Sequence, residues 1–510
     1  MKTVTLNRFD GALTNDPKTP SSRHARAVAN FNILTDPYRM IPYVSSEDGD
    51  SSASTQQIRN FTLGKRGSTT SVFGLGIDGS NHPAVYYRDL SDLADATWSA
   101  TASNSRAAGS QYAPEFFIYY PNQDKVYFAS SSTSLEEYDP DTPSTNQSAD
   151  LATSVTITPT SFTRASNAVL HSKDDIVYVG LDNYLIKKNG SVAWSDALTL
   201  PVGSEIVALC EYGNYLAIGV RQTVQTGKCT VYLWDRDSSL TTLSEAISWG
   251  DEDLRVLEEV EGELVGVSMT GDVASDTIEK VVFRKYSSGV GAVKFLELNT
   301  GFSPTVSVQL VRSMQQKYRG RLYFMMTITI NGSVRQGVWS IGRNTRTQEW
   351  ALVHERTSDN DTALNNSHNL RGFFNIGDYL FQSHQDNGTY EMTKTSDQED
   401  YLATSYYETT INPGMPLEDV FKKKKLYSVT CHYEAQPTAG QVVVKYRTDR
   451  AANYTTVFTD TTDGSTSFEM PNASGTSFTD GREFEFRIES YGGTVITGFT
   501  YKYDTLETNQ

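Results

Sequence analysis

The sequence predicts an all-β protein: a β-propeller of about seven degenerate blades followed by a small C-terminal antiparallel β-sandwich. Three observations lead there. A hairpin pattern recurs seven times, roughly 40–60 residues apart, which is the spacing of a propeller blade. The composition is rich in strand formers, with 29 Tyr and 22 Phe set among many Thr and Val. Beyond about residue 400 the pattern gives way to six short alternating strands in some 80 residues, the signature of a two-layer sandwich.

The repeat consists of a glycine or aspartate turn, a short apolar strand, and a second strand that carries Tyr, Trp or Phe. Its copies are Thr69–Asp89, Asp124–Asp139, Asp174–Lys188, Gly213–Asp237, Gly262–Lys285, Gly320–Arg343 and Gly377–Lys394. In Val177–Lys187 (VYVGLDNYLIK) the period of two is plain, with a Leu-Asp-Asn turn between the strands. An aromatic directly before an acid recurs at Trp234-Asp235, Tyr138-Asp139 and Tyr390-Glu391. The ring is expected to fill the wedge between blades while the carboxylate serves turn amides. The Ser/Thr/Ala-rich stretches Asp89–Ala113 and Thr142–Ser154, and the polar insertion Glu355–Asn369, read as surface loops.

Ahead of the repeats, residues 1–60 read as an extended arm. Arg26–Tyr43 is expected to lie against the first blades and to supply the strand that closes the ring, because an unclosed ring leaves an unpaired edge. Ser45–Gln57 reads as a polar linker. The propeller is placed at 61–400, a linker at 401–425 and the sandwich at 426–510. The linker carries Glu418-Asp419 and four lysines, Lys422–Lys425, which read as a solvated strand entrance. In the sandwich, Phe484, Phe486 and Ile488 alternate onto one face.

The formal net charge of −17 disfavours general nucleic-acid binding. No stretch approaches the roughly 20 apolar residues of a membrane span. The start, MKTVTLNRFDGALTND, has no apolar core and is not expected to be a secretory signal. The three cysteines, Cys210, Cys229 and Cys431, are expected to be free core residues. There is no phosphate loop, HExxH, zinc-spaced cysteine cluster or nucleophile elbow. The oxygen-rich clusters at Asp48–Asp50, Asp251–Asp253, Asp359–Asp361 and Asp386–Gly388 read as acidic turns, since none reproduces a calcium loop. No catalytic residue, metal site or cofactor is expected. A carboxylate pair for sugar hydrolysis would have to meet in space from distant strands. A carbohydrate- or receptor-binding propeller would need exposed aromatics beside Asp or Asn, for which Trp194, Trp249 and Trp339 are the candidates.

The N-terminus resembles that of structural proteins of tailed bacteriophages. The residues that carry the likeness are Arg8-Phe9-Asp10-Gly11-Ala12-Leu13, Asn30-Phe31-Asn32-Ile33 and Pro37-Tyr38-Arg39-Met40-Ile41-Pro42, with departures at Ala12 and Met40. The phrase Glu489–Tyr503 is similar to the last strands of phage propeller-plus-sandwich proteins. The resemblance implies a virion component of the tail, its nozzle or the connector region. It implies assembly with other phage structural proteins, commonly as a ring of identical copies, with packaged DNA close by. Arg8, Phe9, Phe31, Tyr38, Arg39 and Tyr43 are the interaction residues it leads us to expect.

Overall fold

The computed structural model describes every residue except 10–24, 30, 34–35, 37, 44–45, 49–57, 59, 78–82, 94–97, 101–115, 143–146, 151–156, 224–227, 238–242, 252, 273–276, 300–308, 331–332, 345–347, 358–368, 387–388, 396–404, 472–477 and 507–510. The chain falls into two compact units, each described by itself. One comprises Met1–Ser46, Gly337–Ala363 and Ser396–Gln510; the other comprises Glu47–Gln336 and Leu364–Thr395.

The repeats are blades because of their turns. Each predicted hairpin is preceded by a tight turn with a left-handed residue, at Gly67, Asp124, Asp175, Gly213, Gly262, Gly320 and Gly377, with φ between 49° and 83°. Glycine adopts this conformation without a Cβ penalty, and aspartate is among the side chains that tolerate it best. Each such turn joins a preceding strand to the hairpin. The seven preceding strands are Asn60–Arg66, Phe117–Tyr120, Ala165–His171, Ser204–Tyr212, Asp253–Val260, Gln309–Tyr318 and Asn369–Ile376. A fourth strand completes each sheet, giving seven four-stranded antiparallel blades among the described residues. The seven first strands lie side by side in chain order, and the last returns to the first: a closed propeller.

The ring closes elsewhere than expected. Ser46–Asp48 supplies the fourth strand of the seventh blade, whose other strands end at Thr395. This strand comes from the segment read as a linker, and Arg26–Tyr43 does not supply it. A blade with only three strands has a free edge, and a short polar strand can cover it because pairing uses backbone groups.

Aromatic rings fill the wedges between blades as the sequence suggests. Trp234 meets Tyr178 edge-on at 5.8 Å, Phe73 stacks on Tyr119 at 6.3 Å, and Phe283 lies 6.2 Å from Phe324. The acids that follow two of the rings hold turns: Asp139 accepts from the Asp141 amide at 2.9 Å and Asp235 from that of Asp237 at 3.1 Å. The side chains of Tyr390 and Glu391 lie outside the described residues. In the second strands of the third and fourth blades a glycine, Gly180 and Gly219, stands against the first strand of the next blade. A Cβ on Gly180 would sit 2.5 Å from Cγ2 and 2.7 Å from Cβ of Ile206 on the next blade. Gly180→Val is therefore expected to destabilise the propeller by about 1–3 kcal/mol, as overpacking does. Ile206→Ala in the same chain should recover part of that loss in a denaturant titration.

The unit that comprises Met1–Ser46, Gly337–Ala363 and Ser396–Gln510 holds the sandwich, which is larger than predicted. The six expected strands are present, from Lys424–Tyr433 to Ile496–Thr505. Three more join them. Lys2–Leu6 pairs with Ile496–Thr505, Ala25–Ala29 pairs with Ser405–Thr409, and Ser405–Thr409 pairs with Phe484–Tyr491. The result is one sheet of four strands and one of five, packed over a shared core. Phe486 of one sheet lies 4.9 Å from Phe499 and 5.0 Å from Tyr501 of the other. Two boundaries are thus corrected. Residues 401–425 are not a linker, since they hold an inner strand of the larger sheet, and the arm at 1–60 donates strands to the sandwich. Both are segments too short to show a period by themselves, and each is held by the exposed edge of an existing sheet.

Candidate functional site

The first strands of all seven blades leave an axial channel with a cavity of about 370 Å³. Its wall carries phenylalanine rings and side-chain amides. Phe61 and Phe374 stack 6.1 Å apart, and Phe116 and Phe117 also line it. Between them, side-chain amides clamp one blade to the next in the manner of a peptide group. Asn167 donates to the Leu209 carbonyl at 2.7 Å and accepts from its N–H at 2.8 Å. Gln316 treats Asn375 alike, at 2.9 and 2.7 Å, and Gln315 both donates to and accepts from Leu257. Each clamp pairs a backbone donor and acceptor at the axis, where first strands of different blades are not joined by a ladder. The channel is closed to a nucleic-acid duplex, one groove of which is already about 12 Å wide.

A larger cavity of about 730 Å³ lies beside the channel and shares Glu211 and Glu258 with its lining. The turns after the fourth and fifth first strands form its rim, with Gly213 and Gly262 at their tips. Glu211, Glu258 and Glu259 supply carboxylates, Tyr212 and Tyr215 supply rings, and Lys317 supplies a single ammonium. Lys317 is paired with Glu259, and Glu211 accepts the Ser172 hydroxyl and, at 3.2 Å, its amide. Glu258 is held by Gln315 at 3.2 Å and by the Glu259 amide at 3.1 Å. Protein atoms crowd its carboxyl although the residue is only half-buried. That burial pushes its carboxyl up to about 7, against the pull of Lys317. The mouth is therefore acidic, concave and walled by tyrosine, suited to ammonium groups and hydroxyls that donate to carboxylates.

A pH dependence follows. Between the ordinary carboxyl value of 4.5 and about 7, the folded protein holds a proton that the unfolded chain has released. Stability from this group falls as pH rises through that window. Glu258→Gln should match the parent below pH 4.5 and exceed it above pH 7 by about 1–3 kcal/mol, read from denaturant midpoints at each pH.

The expected interaction residues take different places. Phe9 and Phe31 are fully buried in the sandwich core, Phe9 edge-on to Tyr407 at 5.4 Å, so they anchor the arm to its own chain and present nothing to a neighbour. Tyr43 packs partly buried against the same core, and Arg8 is half-buried. Arg39 pairs with Glu434 at 2.5 Å, and Tyr38 is exposed. The aromatic candidates for a sugar platform are also buried: Trp194, Trp249 and Trp339, the last stacked on His354 at 4.5 Å. Asp251 forms a two-point pair with Arg284 at 2.7 and 3.0 Å, and Asp253 pairs with Arg221 and Arg255. These are ion pairs within the fold. The Asp359–Asp361 cluster and most of Asp48–Asp50 and Asp386–Gly388 lie outside the described residues. Cys210, Cys229 and Cys431 are free and buried.

Sequence reasoning did not single out Glu211, Glu258, Glu259 or Lys317. A signal exists: charged residues stand two to four positions before the turn glycines Gly213, Gly262 and Gly320. It acquires meaning only once those turns are known to ring an axis.

Comparison with known proteins leaves the family open. No family model matches the chain, and no curated protein matches it. Among solved structures, the chain is similar to an exo-β-1,3-galactanase from Phanerochaete chrysosporium bound to β-1,3-galactotriose. That likeness has a TM-score of 0.32 and 9% identity, over 90% of this chain and 99% of the other. So distant a likeness carries no argument about reaction or ligand.

Proposed function

We propose that this chain is a non-enzymatic structural subunit of a tailed-phage particle, placed in the tail or near the connector, that works through contacts between subunits. The observation that supports it is the N-terminal phrase set of phage structural proteins, above all Arg8-Phe9 and Asn30-Phe31-Asn32-Ile33. Its apolar members have a physical role here: Phe9, Phe31 and Ile33 are fully buried in the sandwich core. In this reading these three side chains serve the folding of the arm and sandwich, and contact with other subunits falls to exposed groups. DNA passage in this reading runs beside the propeller, since the axial channel is too narrow for a duplex. A surface of net charge −17 would repel the duplex and leave it free to slide.

The acidic mouth favours a second reading, a propeller that binds glycans, because carboxylates and tyrosines around a cavity can hold sugar hydroxyls and rings. Electron microscopy of the purified protein, run beside a polysaccharide-cleavage and glycan-binding assay, separates the two. Rings of identical copies without turnover are expected. A monomer that binds or cleaves polysaccharide would overturn the assembly role.

A further inference from the structure

Leu417 and Phe421 are 78% and 84% exposed, one helical turn apart on Leu417–Val420 and the residue after it. Large apolar groups so displayed are ordinary when scattered singly; here two share one face and stand on a rigid base. The Asp419 carboxylate is buried beneath them and gathers Lys2 at 2.5 Å, Lys422 at 3.2 Å and the Tyr503 hydroxyl at 2.7 Å. Lys424, also buried, donates to the carbonyls of Asp419, Val420 and Lys422 at 2.9, 3.0 and 2.8 Å, which occupies all three of its hydrogens. Asn412 donates to the Val420 carbonyl at 3.1 Å and accepts from the Phe484 amide at 3.0 Å. The free ends of this turn are thus held by buried partners. Such a turn loses little conformational freedom on binding. Around the two apolar side chains Lys422 and Lys423 are exposed, against one exposed carboxylate, Glu418, so the turn carries an excess of basic groups on a chain of net charge −17.

We propose that the Leu417–Lys423 turn of one copy docks into the acidic mouth of the propeller of a second copy. The inference deepens the assembly reading and rests on it, by naming the contact that would join identical subunits. Charge complementarity carries it: Lys423, and Lys422 with the hydrogens its Asp419 pair leaves over, outnumber Glu418 and meet Glu211 and Glu259, whose oxygens have lone pairs to spare beyond their present partners. The cavity of about 730 Å³ has room for a phenylalanine side chain against the paired rings of Tyr212 and Tyr215, which makes Phe421 the anchor of the contact. Because the two faces are different, the contact is head-to-tail and propagates into a ring when the rotation closes.

The test uses the full chain. A photo-crosslinking benzoylphenylalanine replaces Phe421 in a mixture of isotopically light and heavy protein, and the linked peptides are mapped by mass spectrometry. Mixed-isotope links to 211–215 or 258–262 are expected, weakening at high salt because exposed ammonium–carboxylate attraction is screened. In sedimentation, Leu417→Ser with Phe421→Ser should abolish self-association while circular dichroism stays unchanged. Lys422→Glu with Lys423→Glu should weaken it by about tenfold or more at low salt. Links within one copy, links to another surface, or a serine double variant that assembles like the parent would overturn the interface and leave the assembly reading standing. A parent protein that is monomeric at every concentration would overturn both.

Discussion

Phe486→Ala is expected to destabilise the sandwich by about 3–5 kcal/mol, the cost of removing a fully buried aromatic side chain from a close-packed core. Phe486 sits where the two sheets face each other, in ring contact with both Phe499 and Tyr501. Its loss removes transfer free energy and leaves a cavity that two sheets held by ladders on either side cannot easily collapse. The chain has two compact units, so a single two-state midpoint would mix their responses. Hydrogen exchange resolves them: amides of Lys424–Tyr433, Phe484–Tyr491 and Ile496–Thr505 should exchange faster, while those of Ser204–Tyr212 stay as they were. Phe486→Leu, which keeps an apolar side chain there, should cost less. Equal protection in the alanine variant and the parent would show that the sheets do not depend on this contact.

Arg221→Met should be of comparable size in the propeller, about 3 kcal/mol, for a different reason. Arg221 is mostly buried between Glu205, which it contacts directly, and Asp253 at 3.3 Å, and both carboxylates are themselves buried. These three residues come from the fourth and fifth blades, so the arginine bridges a blade boundary by charge where its neighbours do so by rings. Removing one partner of a buried pair leaves the others desolvated and uncompensated, which costs more than the pair ever contributed. Arg164 on Glu205 at 3.4 Å and Arg255 on Asp253 at 2.5 Å soften the loss. Adding Glu205→Gln to Arg221→Met should therefore restore part of the stability, a sign that a packing defect alone would not give. Exchange of Ser204–Tyr212 and Asp253–Val260 amides reads the effect.

Much of the propeller was legible because its signals are local. A left-handed turn needs glycine or aspartate, a blade strand needs alternating apolar residues, and both requirements repeat seven times within short windows. The inter-blade rings followed from the same pattern, as Trp234 against Tyr178 shows. Phe484, Phe486 and Ile488 were likewise readable as one buried face. The misreadings share a cause: they concern segments whose partners are far away in the chain. Lys2–Leu6 finds Ile496–Thr505 nearly five hundred residues on, and Ser46–Asp48 closes a blade whose other strands begin at Asn369. Phe9 and Phe31 looked like contact residues for the same reason. The hydrophobicity of a side chain does not say whether its own fold or a neighbour will cover it. Lys424 offers the complementary case: inside a run of four lysines it looked solvated, yet it is buried because three backbone carbonyls needed donors.

By itself, then, the amino-acid order determined the all-β class, the repeat, the wedge-filling aromatics and the alternation of the C-terminal strands. All of these depend on φ preference and side-chain period, which act over a few residues. Only tertiary structure decided which edge strands the N-terminal segments complete, where the ring shuts, and that Glu211, Glu258 and Glu259 gather at one mouth. Those outcomes depend on free backbone edges and on convergence about an axis, and neither is written in any window of neighbouring residues.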